Sequence, residues 1–285
     1  MKLEISLDER REVGCGQSHF LQMAVQTRDR SGGHPFGGAV GVCGSDVHFW
    51  HDGRLGDWIV DEPLVLGHES GGRIVAVGRA IDPERVGQRV SILEPLSVAI
   101  ATAQKGRITI GTRVLITGAG PIRIITAQVA RAYGTSEIII SDVSPARRAQ
   151  ALLVGATRAI DPLVEDIATL GLAVDVFVDA SGAASAVQSG LRAVRAGGIV
   201  VLVRMGAGEI ALPISVIQNR ELIVTGIFRY ANTWPTAIDL VSRGLVDLDS
   251  LVTGHFDLDQ VDAALRSTTQ PGVLKSIVTP NPTAR

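Results

Sequence analysis

From Arg113 to Phe228 the chain alternates uniformly apolar, β-branched segments with amphipathic ones, and few folds accommodate that rhythm. "RVLITG" at 113–118, "EIIISD" at 137–142, "VDVFVDASG" from Val174, "IVVLV" at 199–203 and "ELIVTGIF" at 221–228 read as strands. "PIRIITAQVARAYG", "SPARRAQALLVG" and "AASAVQSGLRAVRAGG" read as helices between them. Strands apolar on both faces, each followed by a helix, predict a parallel sheet covered on both sides. Residues 40–98 differ. "PLVLGHESGGRIVAVG" and "GQRVSILEP" read as short strands punctuated by glycine, which predicts a small β-rich unit. The first 39 residues are the least legible part, and "RDRSGGHPFGG" reads as a loop or a disordered lead-in.

Composition narrows the function classes. The 285 residues suit one or two globular domains, and the 32 glycines suit many tight strand–helix turns. The net charge is −2 and the arginines are scattered, so no nucleic acid partner is expected. No window holds the roughly 18 apolar residues of a membrane span. "MKLEISLDERREVG" lacks the apolar core of a secretory signal. Cys15 and Cys43 are the only cysteines, too few for a disulfide framework, so a cytoplasmic site is expected.

"GAGPIR" at 118–123 stands between a strand and a helix, where a dinucleotide fold puts G-x-G-x-x-G. Gly118 permits the turn, and Gly120 lets a pyrophosphate approach the backbone near the positive helix end. The next strand ends in Asp142, 22 residues after Gly120. That carboxylate can accept hydrogen bonds from the adenine-ribose hydroxyls and repels a 2′-phosphate, so NAD is expected over NADP. Arg123 replaces the third glycine. It is expected to push the helix from the sheet or snorkel outward, at about 1–3 kcal/mol if the site is tight. Contact with the pyrophosphate is the less expected outcome.

A second cluster precedes this unit. Cys43 lies in "VGVCGSDVHFWHDGRLGDW", His68 and Glu69 in "PLVLGHESGGRIVAVG", and Glu94 in "LEPLSVAI". Thiolate, imidazole and carboxylate together suit a zinc ion that keeps an open position. Which of Glu69 and Glu94 is the carboxylate ligand stays open.

"GVCGSDVHFW", "PLVLGHE", "EPLSVA", "VLITGAGPI", "SDVSPARR", "DASGA" and "IFRYANTWP" resemble the zinc-dependent medium-chain dehydrogenases, closest to the NAD-dependent sorbitol and xylitol dehydrogenases. The resemblance covers about residues 40–285. It implies an α/β protein: a Rossmann doubly wound parallel sheet plus a truncated GroES-like β-rich catalytic domain. The implied division is an unmatched segment at 1–39, catalytic domain at 40–98, NAD-binding domain at 99–228 and a return to the catalytic domain at 229–285.

The resemblance assigns Cys43, His68 and Glu69 to zinc and sets Glu94 beside metal and substrate. Phe49, Arg229 and Tyr230 fall at substrate positions, with Phe49 standing where a tyrosine is usual. Ser45 and His48 fall on the proton-release path. Gly118, Gly120, Ile122, Asp142, Arg147, Val203, Met205 and Phe228 fall at NAD positions. The implied reaction oxidises a secondary hydroxyl of a polyol or related alcohol to a ketone, in a homo-oligomer (dimer or tetramer).

Departures also stand in the sequence. "GQRVSI" runs straight into "LEPLSVAI", where the family has a long segment with a cysteine-rich lobe. No structural four-cysteine zinc site is therefore expected. Arg204 in "VLVRMG" replaces another usual glycine. These changes raise a rival reading: a non-catalytic NAD-binding or assembly protein derived from such an enzyme.

Overall fold

A computed structural model of the chain describes residues 2–6, 24–28, 38–61, 64–73, 89–90, 93–204, 209–270 and 272–279. Cys15 and Met205 lie outside the described residues. Strands β1 (Lys2–Ser6) and β2 (Ala24–Arg28) pair antiparallel with each other, so the first 39 residues do contain elements.

Strand β3 (Ala39–Gly41) leads into helix α1 (Gly44–Asp52), which is followed by the small hairpin of β4 (Arg54–Leu55) and β5 (Trp58–Ile59). Then come β6 (Glu69–Arg73), β7 (Arg89–Val90) and α2 (Glu94–Lys105). "LEP" therefore ends no strand: Pro95 stands in the first turn of a helix, where its missing N–H costs nothing. Helix α2 runs through residue 98 without a break.

The alternating region holds β8 (Arg113–Thr117), α3 (Pro121–Ala132), β9 (Glu137–Ser141), α4 (Pro145–Leu153), β10 (Arg158–Ile160) and β11 (Val174–Asp179). It continues with α5 (Ala184–Ala193), β12 (Val194–Leu202), α6 (Ile214–Asn219) and β13 (Ile223–Gly226). The chain closes with α7 (Trp234–Ser242), β14 (Val252–Asp257), α8 (Val261–Ser267) and β15 (Lys275–Thr279).

Six strands form one sheet in the order β10-β9-β8-β11-β12-β13, all parallel. Successive side chains point to opposite faces, and both faces are dry. Val114, Ile116, Ile138, Ile140, Val176 and Val178 pack into one apolar cluster, while Leu115, Ile139 and Phe177 pack into the other. Each such side chain contributes roughly 1.5–3 kcal/mol by leaving water. This double burial is why the strand segments read as unbroken apolar runs.

One helix ends earlier than its sequence pattern predicts. Helix α5 stops at Ala193, because Val194 already pairs with Val174 in the sheet. Gly198 then packs so close to Asp175 that an added β-carbon would lie 2.8 Å from its carbonyl oxygen. The strand β10 escaped notice because it is only 3 residues long.

The second sheet has the order β14-β15-β3-β6-β7, so the C-terminal strands pair directly with β3. Helices α2 and α7 bury Leu96, Ile100, Ala237 and Leu240 in the same cluster as Ile124 and Val129 of α3. No helix among the described residues is long and apolar enough to cross a membrane.

Candidate metal centre and dinucleotide crevice

The antiparallel register of β3 and β6 builds the first site. Gly41 pairs with Glu69 and Val40 with Ser70. The residues just past the end of β3 therefore meet those just before β6, which brings Cys43 to His68. Ligand atoms of Cys43, His68 and Glu69 all lie within 4.8 Å of one another. Thiol, imidazole and carboxylate at this spacing form a donor set that fits zinc.

Asp46 organises this set. It sits one helical turn beyond Cys43 and is 4% exposed. Its Oδ2 accepts from the Cys43 N–H at 2.9 Å, and its Oδ1 accepts from the Gly67 N–H at 3.2 Å. The same Oδ1 lies 3.3 Å from Nδ1 of His68. A carboxylate on one ring nitrogen fixes the tautomer and leaves the other nitrogen for an ion. In the metal-free chain, Asp46 and Cys43 hold the His68 ring protonated, with its pKa raised to about 11. Binding a metal there displaces a proton. The sequence reading missed Asp46; its signal was an acid in the first turn of the helix that Cys43 caps.

Glu69 is buried to 1% exposure, and its counter-charge is Lys275 at the start of β15. Lys275 Nζ also donates to the Val42 carbonyl at 2.9 Å. The Glu69–Lys275 contact is an ion pair without hydrogen-bond geometry at either carboxylate oxygen. Gly41 makes room for it, since a β-carbon there would lie 2.3 Å from Glu69 Oε2. Lys275 too went unnoticed in the sequence.

Glu94 opens α2 and faces the same cluster. Burial, followed by the Glu69 charge, pushes its carboxyl up to about 7, against the opposing pull of His68, Lys275 and a hydrogen bond with Tyr230. Tyr230 is itself raised, by burial first and then by Glu94. A carboxyl raised in the folded state favours folding below the unfolded value of 4.5, and that contribution is lost as pH rises through about 7. Metal-free Glu94→Gln protein is therefore expected to resist urea better than wild type at pH 8, with the two converging toward pH 5. Equal midpoints at pH 8 would show that Glu94 is not held in this environment.

The remaining site residues are less tightly drawn in. Ser45 and Phe49 are half-buried on α1. His48 is turned to Asp52, 3.0 Å from Nδ1, and no hydrogen bond among the described residues joins it to Ser45. Arg229 lies over two rings, 5.0 Å from the centroid of Phe228 and 5.8 Å from that of Trp58. Trp58, absent from the expected set, stacks edge-on with Phe228 at 4.9 Å. Phe228 thus belongs to an aromatic group that also takes Arg229.

The second site lies at the carboxyl ends of β8 and β11, where the strand order reverses. Open α/β sheets bind ligands in this crevice. Gly118 has φ +90°, a conformation open to glycine, and Gly120 caps α3. Asp142 is 8% exposed. Its Oδ2 accepts from the Ala119 N–H at 2.7 Å, and its Oδ1 accepts from the Ser144 N–H at 2.7 Å. It ties the glycine turn to the start of α4, and each oxygen retains a lone pair for a ribose hydroxyl. Ile122 is in the first turn of α3, Arg147 in that of α4, and Val203 directly follows β12.

Arg123 neither snorkels outward nor points away from the turn. Its Nε donates to the Ala180 carbonyl at 2.9 Å, and Nη2 donates to the same oxygen. Helical side chains lean toward the N-terminus, and that lean carries the guanidinium back over the glycines.

Comparison with known proteins places the chain in a family. The Alcohol dehydrogenase GroES-like domain family matches residues 38–132, and the Zinc-binding dehydrogenase family matches 121–243. Sorbitol dehydrogenase of Mus musculus is 31% identical, over 86% of this chain and 87% of the relative. Sorbitol dehydrogenase of Bacillus subtilis is 31% identical, over 85% and 88%. L-idonate 5-dehydrogenase of Escherichia coli shares the fold with a TM-score of 0.77 at 22% identity, over 86% of this chain and 90% of that one. The matched span with the mouse enzyme, 312 residues, exceeds this whole chain of 285, so the relative carries internal residues with no counterpart here. The protein is α/β, with a Rossmann-like parallel sheet and a GroES-like unit, and it belongs to the zinc-dependent medium-chain dehydrogenases, in their polyol dehydrogenase branch.

Proposed function

We propose that this chain oxidises a secondary hydroxyl of a polyol to a ketone, with NAD as acceptor and zinc held by Cys43, His68 and Glu69. The observation that carries the reading is the convergence of those three ligand atoms within 4.8 Å. The retained ligands, with Asp46 and Lys275 supporting them, favour an enzyme over a non-catalytic descendant.

Zinc supplies Lewis-acid polarisation of the substrate hydroxyl, and NAD supplies the hydride acceptor. The protein's own groups bind and move the proton. Glu94 lies beside the cluster, hydrogen-bonded to the Tyr230 hydroxyl, where its carboxylate can take or return a proton of the bound substrate or water. Ser45 Oγ carries the hydroxyl proton outward, and His48 is the next station once its ring leaves Asp52. Arg229 and Tyr230 bind further substrate hydroxyls, and Phe49 gives an apolar wall. The products are ketone, NADH and a proton. A cytoplasmic homo-oligomer acting on a small polyol completes the reading, in which residues 99–228 bind the dinucleotide.

The test is a panel of polyols with NAD and NADP, with and without added zinc. Zinc-dependent NADH formation supports the reading; zinc-loaded protein that turns over no secondary alcohol overturns it. Asp142 tests the cofactor preference. Asp142→Ala is unsuitable, because it orphans two backbone N–H groups at roughly 1–3 kcal/mol each. Asp142→Asn keeps one acceptor and removes the charge. It is expected to narrow the affinity gap between NADH and NADPH by about tenfold, 1.4 kcal/mol. An unchanged gap would remove Asp142 from the selectivity.

A further inference from the structure

The crevice between β8 and β11 is occupied by a side chain of this chain. Arg123 belongs to α3, which follows β8, and Ala180 follows β11. The bond from Arg123 Nε to the Ala180 carbonyl, 2.9 Å, therefore crosses the point where strand order reverses. A β-carbon on Gly118 would lie 2.5 Å from Arg123 Nε and 2.7 Å from Cζ. One on Gly120 would lie 2.5 Å from Nη1. The guanidinium thus fills the space that two missing side chains leave open. In a dinucleotide fold, that space lets the pyrophosphate reach the backbone.

We propose that Arg123 is an intramolecular competitor for the cofactor's pyrophosphate, and that a dinucleotide enters only when the guanidinium leaves Ala180. The inference rests on the dinucleotide reading of this crevice. The neighbouring acids do not draw the guanidinium off the turn. Asp142 is engaged by Ala119 and Ser144. Asp179 accepts from Thr117, Ser181 and Gly182. Burial, then the charge of Arg204, lowers Arg123 to about 10, so it remains a cation at neutral pH. The arginine is the far end of a flexible side chain, so the seat can be cleared, but the carbonyl contact must be given up first. The adenosine end of the crevice, at Asp142 and the first turn of α4, lies one strand away beside β9. A ligand without phosphates does not need the space that Arg123 fills.

The experiment measures NADH, ADP-ribose and adenosine binding by calorimetry to zinc-loaded wild type, Arg123→Gly and Arg123→Ala at fixed salt. The alanine variant guards against a helix weakened by glycine. Both variants are expected to bind NADH and ADP-ribose at least about tenfold more tightly, with adenosine affinity unchanged. Unchanged or weaker binding of ADP-ribose by the folded variants overturns the proposal, since the guanidinium would then be a bystander or a phosphate ligand. An equal gain for adenosine also overturns it. If wild type and both variants bind neither NADH nor ADP-ribose, the dinucleotide reading falls and takes this inference with it.

Discussion

Cys43→Ser protein is expected to lose nearly all tightly bound zinc. Cys43 is the one cysteine among the described residues and carries a free thiol. It caps α1 with its N–H held by Asp46, which sets the thiol beside His68. A serine hydroxyl keeps the shape but does not ionise to an anionic ligand at neutral pH. Removing a direct ligand should cost more than the 10–100-fold typical of outer partners. Asp46→Asn supplies that comparison: it leaves all three ligand atoms and removes the charge that orients His68. Zinc content after dialysis against a graded chelator should therefore rank wild type above Asp46→Asn, and Asp46→Asn above Cys43→Ser. Stoichiometric zinc in Cys43→Ser would move the metal to other residues. Equal retention in Asp46→Asn and wild type would leave Asp46 with a purely structural role.

The difference between what was legible and what was not follows from the range of the interactions. The strands β8, β9, β11 and β12 declare themselves because both faces are buried and every position must be apolar. Cys43, His68 and Glu69 were legible as residue types, yet their meeting depends on the pairing of Gly41 with Glu69 across a separate strand. Asp46 looked like an ordinary helix-start acid, since capping and ligand support use the same oxygens. Lys275 could not be read at all: it reaches Glu69 only because β15 pairs with β3. Arg123 was legible as an anomaly, but its consequence was misjudged. Packing against the sheet suggested a displaced helix, whereas the backward lean of a helical side chain carried the charge onto the glycine turn. The end of α5 was missed for a related reason. "AVRAGG" continues a helical pattern until β11 offers Val194 a partner.

Lys275→Met is expected to destabilise the metal-free protein by about 3–5 kcal/mol, the usual cost of removing one partner from a buried ion pair. The side chains of Lys275 and Glu69 are 11% and 1% exposed, so little water can replace the lost ammonium. Neither oxygen of Glu69 has a hydrogen bond to fall back on. Gly41, next to the carboxylate, has no side chain to supply a replacement hydrogen bond. Methionine keeps much of the aliphatic stem, so lost packing contributes little. The double variant Lys275→Met, Glu69→Gln should recover part of the loss, because protonated His68, within 4.8 Å, offsets only part of the carboxylate charge that Lys275 leaves behind. Zinc gives a second check. A metal that takes Glu69 as a ligand restores a counter-charge and binds only the folded chain, so saturating zinc should narrow the gap between Lys275→Met and wild type. Urea midpoints with chelator and with zinc measure both effects. A loss below about 1 kcal/mol with chelator would put this pair with weak exposed ones. A gap that zinc leaves unchanged would assign the metal's carboxylate to Glu94 instead of Glu69.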